Sequence, residues 1–355
     1  VVEIAGAPAT PAIPPLLSNT PGWAGTQIEI GRREIESAFG FPPRGFLLPD
    51  GAFCAELETV LAENGVEWIA VEGQAGAPGE VIETKSGLKV LQTCRDAFRS
   101  LWDPVGGFSS DPECLHDLPL EPGEPSAPAN FGINYARVGA KSDAYRCGLA
   151  RMAALSQARQ LLSTLAQRSG LAAVSLPMET FGHTWREGLH FLRAFLSGTG
   201  SDGMNWCTPG EIDSTGLASM PSLLTDGHER SLKSWVGETS APVIPHFYAT
   251  MEEVRACARA LAPLGTTAKP SQSGALSQMI REMLLAQSGD SLLFLQNRMG
   301  HEEEVVRPMV SALLRLRELL DRWKHGRLDR EFLGDCYREN PLFPALDWRT
   351  LATAR

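Results

Sequence analysis

Residues 31–73 read GRREIESAFGFPPRGFLLPDGAFCAELETVLAENGVEWIAVEG. The first ten residues carry apolar side chains at helical spacing and stop at Gly40, the residue type that closes helices in the left-handed conformation. GFLLPD, residues 45–50, reads as the end of a strand. AELETVLAENG, residues 55–65, reads as a second helix closed by Gly65, and VEWIAVEG, residues 66–73, as another strand. Alternation of helix and strand at this spacing predicts parallel strands joined by crossover helices, an α/β architecture.

Working outward, VVEIAG at residues 1–6 reads as a further strand. Residues 76–145 are rich in Gly, Pro, Ser and Asp and show no sustained period, which predicts a long excursion without regular structure. Residues 148–170 form an amphipathic helical pattern, AAVSLPMETFG at 172–182 a strand running into a loop, and TWREGLHFLRAFLSG at 184–198 a helix with Trp185, Leu189, Leu192 and Phe195 on one side. After a mixed stretch at about 200–245 the chain becomes mainly helical. There Val306, Met309, Val310, Leu313, Leu316, Leu320 and Trp323 make a 3.6-residue stripe, read as a packing face.

The 355 residues suffice for one large barrel-type domain with an appendage, or for two domains, and the hydrophobic share of 43% for a sizeable core. A net charge of −10 argues against a nucleic-acid partner, whose phosphates an acidic surface repels. Seven cysteines, at 54, 94, 114, 147, 207, 257 and 336, never form C-x-x-C, which favours reduced thiols in a cytoplasmic setting over a zinc ribbon or a disulfide scaffold. No apolar run of about eighteen residues predicts a membrane span, and no signal peptide is legible.

SLPMETFGHTWREG, residues 175–188, gathers a carboxylate, a histidine, aromatic side chains and two glycines. Taken together with other stretches in chain order, it resembles the α-glucan enzymes of glycoside hydrolase family 57, nearest the branching enzymes. VVEIAGAPATPAIPPLL (1–17) is similar to the segment leading into the strand before the nucleophile, and FGFPPRGFLLPDGAF (39–53) to the segment ending on it. CRDAFRSLWDPVGGFSSDP (94–112) resembles the arginine–aspartate and tryptophan stretch, and SLPMETFGHTWREGLHFL (175–192) the segment bearing the general acid. QMIREMLLAQSGDSLLF (278–294) and NPLFPALDWR (340–349) resemble the C-terminal helical region.

The resemblance implies an incomplete (β/α)7-type barrel with a C-terminal mainly helical domain. It divides the chain into 1–200, a barrel lacking its first strands, 201–262, a segment completing the barrel, and 263–355, the helical domain. Family members carry a strand with a His-x-His motif upstream of where this chain starts. Without it a sheet edge is left to a protein partner or to a preceding part of the chain. The implied activity is retaining transglycosylation of α-1,4-glucan to α-1,6 branches, which uses two carboxylates about 5–5.5 Å apart and no cofactor. The implied partner is an α-glucan such as amylose or glycogen.

On this resemblance Asp50 stands where the nucleophile is glutamate, and Pro177 where the general acid is aspartate. Pro11, Leu47, the LLTDGHE stretch at 223–229 and Ser291-Leu292 also depart, replacing a histidine, a tryptophan, Ser-Trp-Gly and Trp-Pro. Phe181, Gly182, Trp185, Gly188, Arg95, Asp96 and Trp102 are kept. The catalytic candidates are therefore Asp50 and Glu179, and the substrate-binding candidates His183, Trp185, Phe181, Arg95, Asp96 and Trp102. Each has a structural alternative: Asp50 as a turn cap, Glu179 orienting backbone or His183, and Arg95–Asp96 as an ion pair. His183 and His190, seven apart, come with no third ligand and no H-E-x-x-H pattern, so no metal is expected. The expected function is that of an α-glucan branching protein of weak or lost activity. The alternative is an inactive relative serving as a glucan-binding or protein-interaction scaffold.

Overall fold

The computed structural model describes residues 2–73, 81–94, 97, 100–101, 107–108, 147–168, 170–182, 185–198, 204–213, 218–219, 225–226, 232, 235–297 and 302–353. They fall into two compact units, Glu72–Val81 with Leu91–Ile212, and Val2–Val71 with Ile82–Val90 and Asp213–Arg355. The architecture is α/β, a small sheet with many helices.

The larger unit begins with α1 (Pro14–Leu17) and α2 (Trp23–Phe39), and α2 ends where Gly40 adopts φ 81° and donates its N–H to Glu36 O. Then come β1 (Gly45–Leu47), β2 (Ala52–Phe53), α3 (Glu56–Glu63) and β3 (Trp68–Glu72). β1 pairs in parallel with β3, Gly45 facing Trp68 and Leu47 facing Ala70. Here the strand–helix–strand reading of residues 31–73 holds. Helix α2 starts eight residues before the expected GRREIESAFG, because TQIEI already buries Ile28 and Ile30.

Close approaches explain two glycines. A Cβ on Gly31 would lie 1.9 Å from the Ala7 carbonyl oxygen, so α2 touches the incoming chain at this point. A Cβ on Gly45 would lie 2.0 Å from the Trp68 ring. The VVEIAG stretch makes only an isolated parallel bridge, Gly6 beside Phe46, with Gly6 N donating to Gly45 O at 2.8 Å.

The full sheet order is β1-β3-β5-β4-β6, with β4 (Val81–Glu83), β5 (Lys89–Thr93) and β6 (Ala218–Ser219). β4 and β5 correct the expectation that residues 76–145 lack regular structure. They are joined at Thr84–Leu88, where Thr84 N donates to Leu88 O at 2.9 Å and Gly87 takes φ 82°. Each strand alone is too short to show a period, and the turn residues of TKSG dominate the composition. A separate two-stranded antiparallel pair joins β2 to β7 (Thr225–Asp226).

In the same unit α6 (Ile244–Leu261), α7 (Pro270–Ala286), α8 (Gly289–Asn297), α9 (Glu302–Lys324), α10 (Arg330–Glu339) and α11 (Arg349–Thr353) make the helical part. Leu276, Met279, Ile280 and Met283 of α7 pack in one core with Met309, Ala312, Leu316, Leu319 and Leu320 of α9. The expected stripe holds at Met309, Leu316 and Leu320, whereas Val310 is exposed and Leu319 is buried in its stead. The helix turns about 100° per residue, so the core stripe slides around it over six turns.

The smaller unit pairs α4 (Cys147–Ala166) with α5 (Gly188–Ser197). Ala150, Ala154 and Ala158 give α4 a smooth face, and Leu161, Leu162 and Leu165 join Trp185, Phe191 and Phe195 in a core distinct from that of the other unit. The expected face of α5 is shifted: Leu189 is exposed and Phe191 is buried, because the helix begins at Gly188 and not at Thr184.

Candidate functional site

Asp50 sits in a 3-10 turn, Pro49–Gly51, directly after the carboxyl end of β1. Its backbone is left-handed, φ 52° and ψ 20°, and its side chain is on the exposed side. Aspartate tolerates this conformation better than most residues, since its short side chain can bond locally. Gly51 N closes the turn onto Leu48 O at 2.9 Å, and β2 follows with Phe53 buried. The carboxyl ends of parallel strands are where α/β enzymes place reacting groups.

A second carboxylate belongs to this neighbourhood. Asp290 lies in the first turn of α8, where a helix N-terminus favours the ionised form. Although Asp290 keeps contact with solvent, the protein packed about it desolvates the carboxyl enough to raise its pKa, and the charge of Asp50 raises it further. The start of α8 is fastened to the residue 10–13 segment of the same unit. Gly289 N donates to Pro11 O at 2.8 Å, and Ala12 bridges Ser288 antiparallel. Beside them Thr10 Oγ1 donates to Leu284 O at 2.8 Å and Gln27 Nε2 to Gln287 Oε1 at 2.8 Å, all within buried surroundings. Asp290 escaped the sequence reading as a site residue. The polar side chains that fix it are about 260 residues apart in sequence and carry no local motif.

In the smaller unit, Pro177 is the extended residue before the 3-10 turn Met178–Thr180 that holds Glu179. Gly182 then takes φ 88°, and its N–H donates to Trp185 O at 2.8 Å. Trp185 is 1% exposed. Its ring stacks on Phe108 with centroids 4.3 Å apart and planes 5° apart, and it tilts against Phe191 at 5.0 Å. Phe181 stacks on Phe191 at 6.0 Å and is half-buried. A Cβ on Gly188 would come within 2.9 Å of Phe181 Cα, so this glycine lets the turn fold onto the helix start. With both faces covered, the Trp185 ring organises the core of this unit. Its Nε1 is buried without a hydrogen-bond acceptor, an arrangement that costs stability.

The larger unit therefore holds Asp50 and Asp290, close enough for the charge of one to raise the pKa of the other, and the smaller unit holds Phe181 and Trp185. Arg95, Asp96, Trp102 and His183 lie outside the described residues, as does the side chain of Glu179. Leu47, in place of the expected tryptophan, is 48% exposed and supplies no aromatic platform. His190 is exposed on α5, and among the described residues no group of three or more His, Cys, Asp or Glu side chains is arranged to hold a metal ion. Among them, too, no helix is long and apolar enough to cross a membrane.

Chemically, the larger unit offers two exposed carboxylates, Asp50 and Asp290, of which Asp290 has a raised pKa. Retaining glycoside transfer needs two carboxyls whose pKa values are held apart.

The model of glycosyl hydrolase family 57 matches residues 1–101, and that of the C-terminal part of 1,4-alpha-glucan branching enzyme matches residues 247–350. No curated protein matches the chain. Among solved structures, a family-57 branching enzyme from Thermococcus kodakaraensis, in complex with glucose and additives, superposes with a TM-score of 0.85 at 19% identity over 100% of this chain and 73% of its own. A branching enzyme of the same type from Pyrococcus horikoshii gives 0.83 at 20% identity, over 100% of this chain and 72% of its own. The alpha-amylase AmyC from Thermotoga maritima gives 0.81 at 21%, over 99% and 73%. These likenesses establish the fold. With the two family matches at either end of it, this chain resembles glycosyl hydrolase family 57 over residues 1–101 and the C-terminal part of the branching enzymes over residues 247–350.

Proposed function

We propose that the protein acts on α-1,4-glucan by retaining transglycosylation, slowly, with Asp50 as nucleophile. The observation that carries this reading is the exposed, left-handed Asp50 at the carboxyl end of a parallel strand, whose charge raises the pKa of a second carboxyl, Asp290. In the reaction, a carboxylate oxygen of Asp50 attacks the anomeric carbon while the glycosidic oxygen leaves and takes a proton from an acid. A sugar 6-hydroxyl then attacks the glucosyl ester, gives its proton to the same acid's conjugate base, and frees Asp50. The slow turnover follows from two substitutions. Asp50 is one methylene shorter than glutamate, and a misplacement of about 1 Å costs on the order of a hundredfold. Pro177 has no proton to give, so the acid is another carboxyl, Asp290 or Glu179.

The same reading includes the incomplete (β/α)7-type barrel, its division at 1–200, 201–262 and 263–355, and a protein partner covering the open edge of the barrel. Arg95, Asp96, Trp102, His183 and Phe181 belong to its glucan-binding set.

A second reading, in which the protein is an inactive scaffold holding glucan or another protein, is favoured by Pro177 and by Leu47, which supplies no aromatic platform. Amylose incubated with the purified chain, debranched and analysed for chain length, separates the two. New α-1,6 branches that disappear in Asp50→Ala support the enzyme. Unchanged amylose with a folded protein that still retains glycogen on a binding column supports the scaffold.

A further inference from the structure

Residues 6–13 run between the two elements that carry Asp50 and Asp290. At one end Gly6 N donates to Gly45 O and Leu47 N to Gly6 O, both at 2.8 Å, so this end is bonded along β1, just before Asp50. At the other, Gly289 N donates to Pro11 O and Ala12 bridges Ser288, so this end is bonded to the start of α8, next to Asp290. Between them α2 holds the segment: Ala9 N donates to Gln27 O at 2.9 Å, and Thr10 N to Gln27 Oε1 at 3.0 Å. Gln27 is fully buried, and its Nε2 donates both to Thr10 Oγ1 at 3.0 Å and to Gln287 Oε1 at 2.8 Å. Thr10 Oγ1 donates in turn to Leu284 O at 2.8 Å. Leu284 lies in the last turn of α7, where carbonyls lack a partner within the helix, and Gln287 lies between α7 and α8. Gln287 Nε2 completes the chain on Met251 Sδ of α6 at 3.2 Å.

A buried amide costs stability unless its donors and acceptor are met. With the oxygen and nitrogen of the Gln27 amide exchanged, a donor would face Thr10 N and an oxygen would face Gln287 Oε1, so the bonds fix one orientation. A fully satisfied buried network is stiff, which leaves the start of α8 little freedom to move against β1. The network holds no ionisable group and acts on Asp290 through position alone. Among the described residues, Asp50 is the charged group whose field reaches Asp290. We propose that Thr10 and Gln27 are positioning residues for the Asp50–Asp290 site, fixing the start of α8 against β1 and with it the exposure of Asp290 and its distance from Asp50. The proposal rests on the reading of these two carboxyls as members of the reacting site.

The test is titration of the Asp290 carboxyl in the full chain, followed by carboxyl-carbon NMR of aspartate-labelled protein and identified by the signal lost in Asp290→Asn. In wild type the midpoint is expected above the ordinary aspartate value of about 3.9. Thr10→Val keeps the side-chain shape and removes the hydroxyl, and Gln27→Met removes the amide. Both are expected to move the midpoint down towards that ordinary value, as α8 loosens, water reaches Asp290 and Asp50 draws apart. Thr10→Ser keeps the hydroxyl and is expected to keep the wild-type midpoint. Leu320→Ala cuts a buried side chain at the far end of α9 from Val305, whose carbonyl accepts from Ser291 Oγ of α8. It is expected to lower stability and leave the midpoint unchanged. Unchanged midpoints in folded Thr10→Val and Gln27→Met overturn the proposal. So does an equal shift in Leu320→Ala, which would make general loss of stability the cause, and so does an ordinary midpoint in wild type. If Gln27→Met fails to fold, Thr10→Val against Thr10→Ser decides. The titration needs no turnover. A responsive Asp290 in a protein that leaves amylose unbranched refutes the proposed function and upholds the hold of the network on Asp290, whereas branching with an unresponsive Asp290 refutes the positioning role alone.

Discussion

At the scale of single residues, Asp50 and Asp290 carry the strongest expectations. Asp50→Ala abolishes branch formation if the proposed mechanism is right, with the fold retained and stability lowered by about 1–2 kcal/mol because alanine at φ 52° loses aspartate's tolerance of the left-handed conformation. Asp290→Asn removes a carboxyl whose folded-state pKa is raised, first by burial and then by Asp50. A raised acid binds more protons folded than unfolded, so its ionisation costs stability as pH climbs from about 3.9 through the folded value. The variant is therefore expected to melt higher than wild type at pH 7, with the difference vanishing near pH 3. A melting-temperature series across that range checks it, and an unchanged difference at both ends would refute it. Asp290 is invisible as a partner of Asp50 in the sequence, where 240 positions separate them, whereas Asp50 itself is legible from LLPDG.

At the scale of elements, two contacts decide how helices lie. Gly31 has the Ala7 carbonyl oxygen where a Cβ would sit, so Gly31→Ala is expected to cost about 3 kcal/mol through forced backbone displacement. Glu282 of α7 is fully buried, accepting from Arg315 Nε at 3.1 Å, Asn340 Nδ2 at 2.9 Å and Gln278 Nε2 at 2.8 Å. It thereby joins α7 to α9 and to the end of α10. Glu282→Ala leaves Arg315 and Asn340 without that acceptor and is expected to cost about 3–5 kcal/mol in urea unfolding, while an exposed ion pair such as Arg307–Glu303 contributes under about 1 kcal/mol. Helix positions were readable from caps and periodicity, Gly40 and Gly65 above all. The faces were readable only approximately, as Val310 and Leu189 show: a stripe written in sequence names the turn that faces inward but not which of its flanking residues the neighbouring helix covers.

At the scale of the whole molecule, the two cores have separate memberships, one built on Trp185, Phe191 and α4, the other on α2, α6, α7 and α9. Trp185→Ala is expected to cost the smaller unit about 3–5 kcal/mol. By amide exchange, protection falls across residues 147–197 and persists across residues 244–353. Equal loss of protection in both would show a single cooperative unit instead.

By itself the sequence determined the alternation of strand and helix over residues 31–73, the helical character of the C-terminal third and the resemblance to family 57. All of these rest on local periodicity, on turn and cap residues, or on runs of adjacent residues. Only the tertiary structure decided that β4 and β5 join the sheet, that Trp185 is enclosed by phenylalanines and that Asp290 feels the charge of Asp50. Each depends on which surfaces meet after the chain has closed loops of many residues. That choice is made by burial and hydrogen-bond satisfaction across the core, and it leaves no periodic trace along the chain.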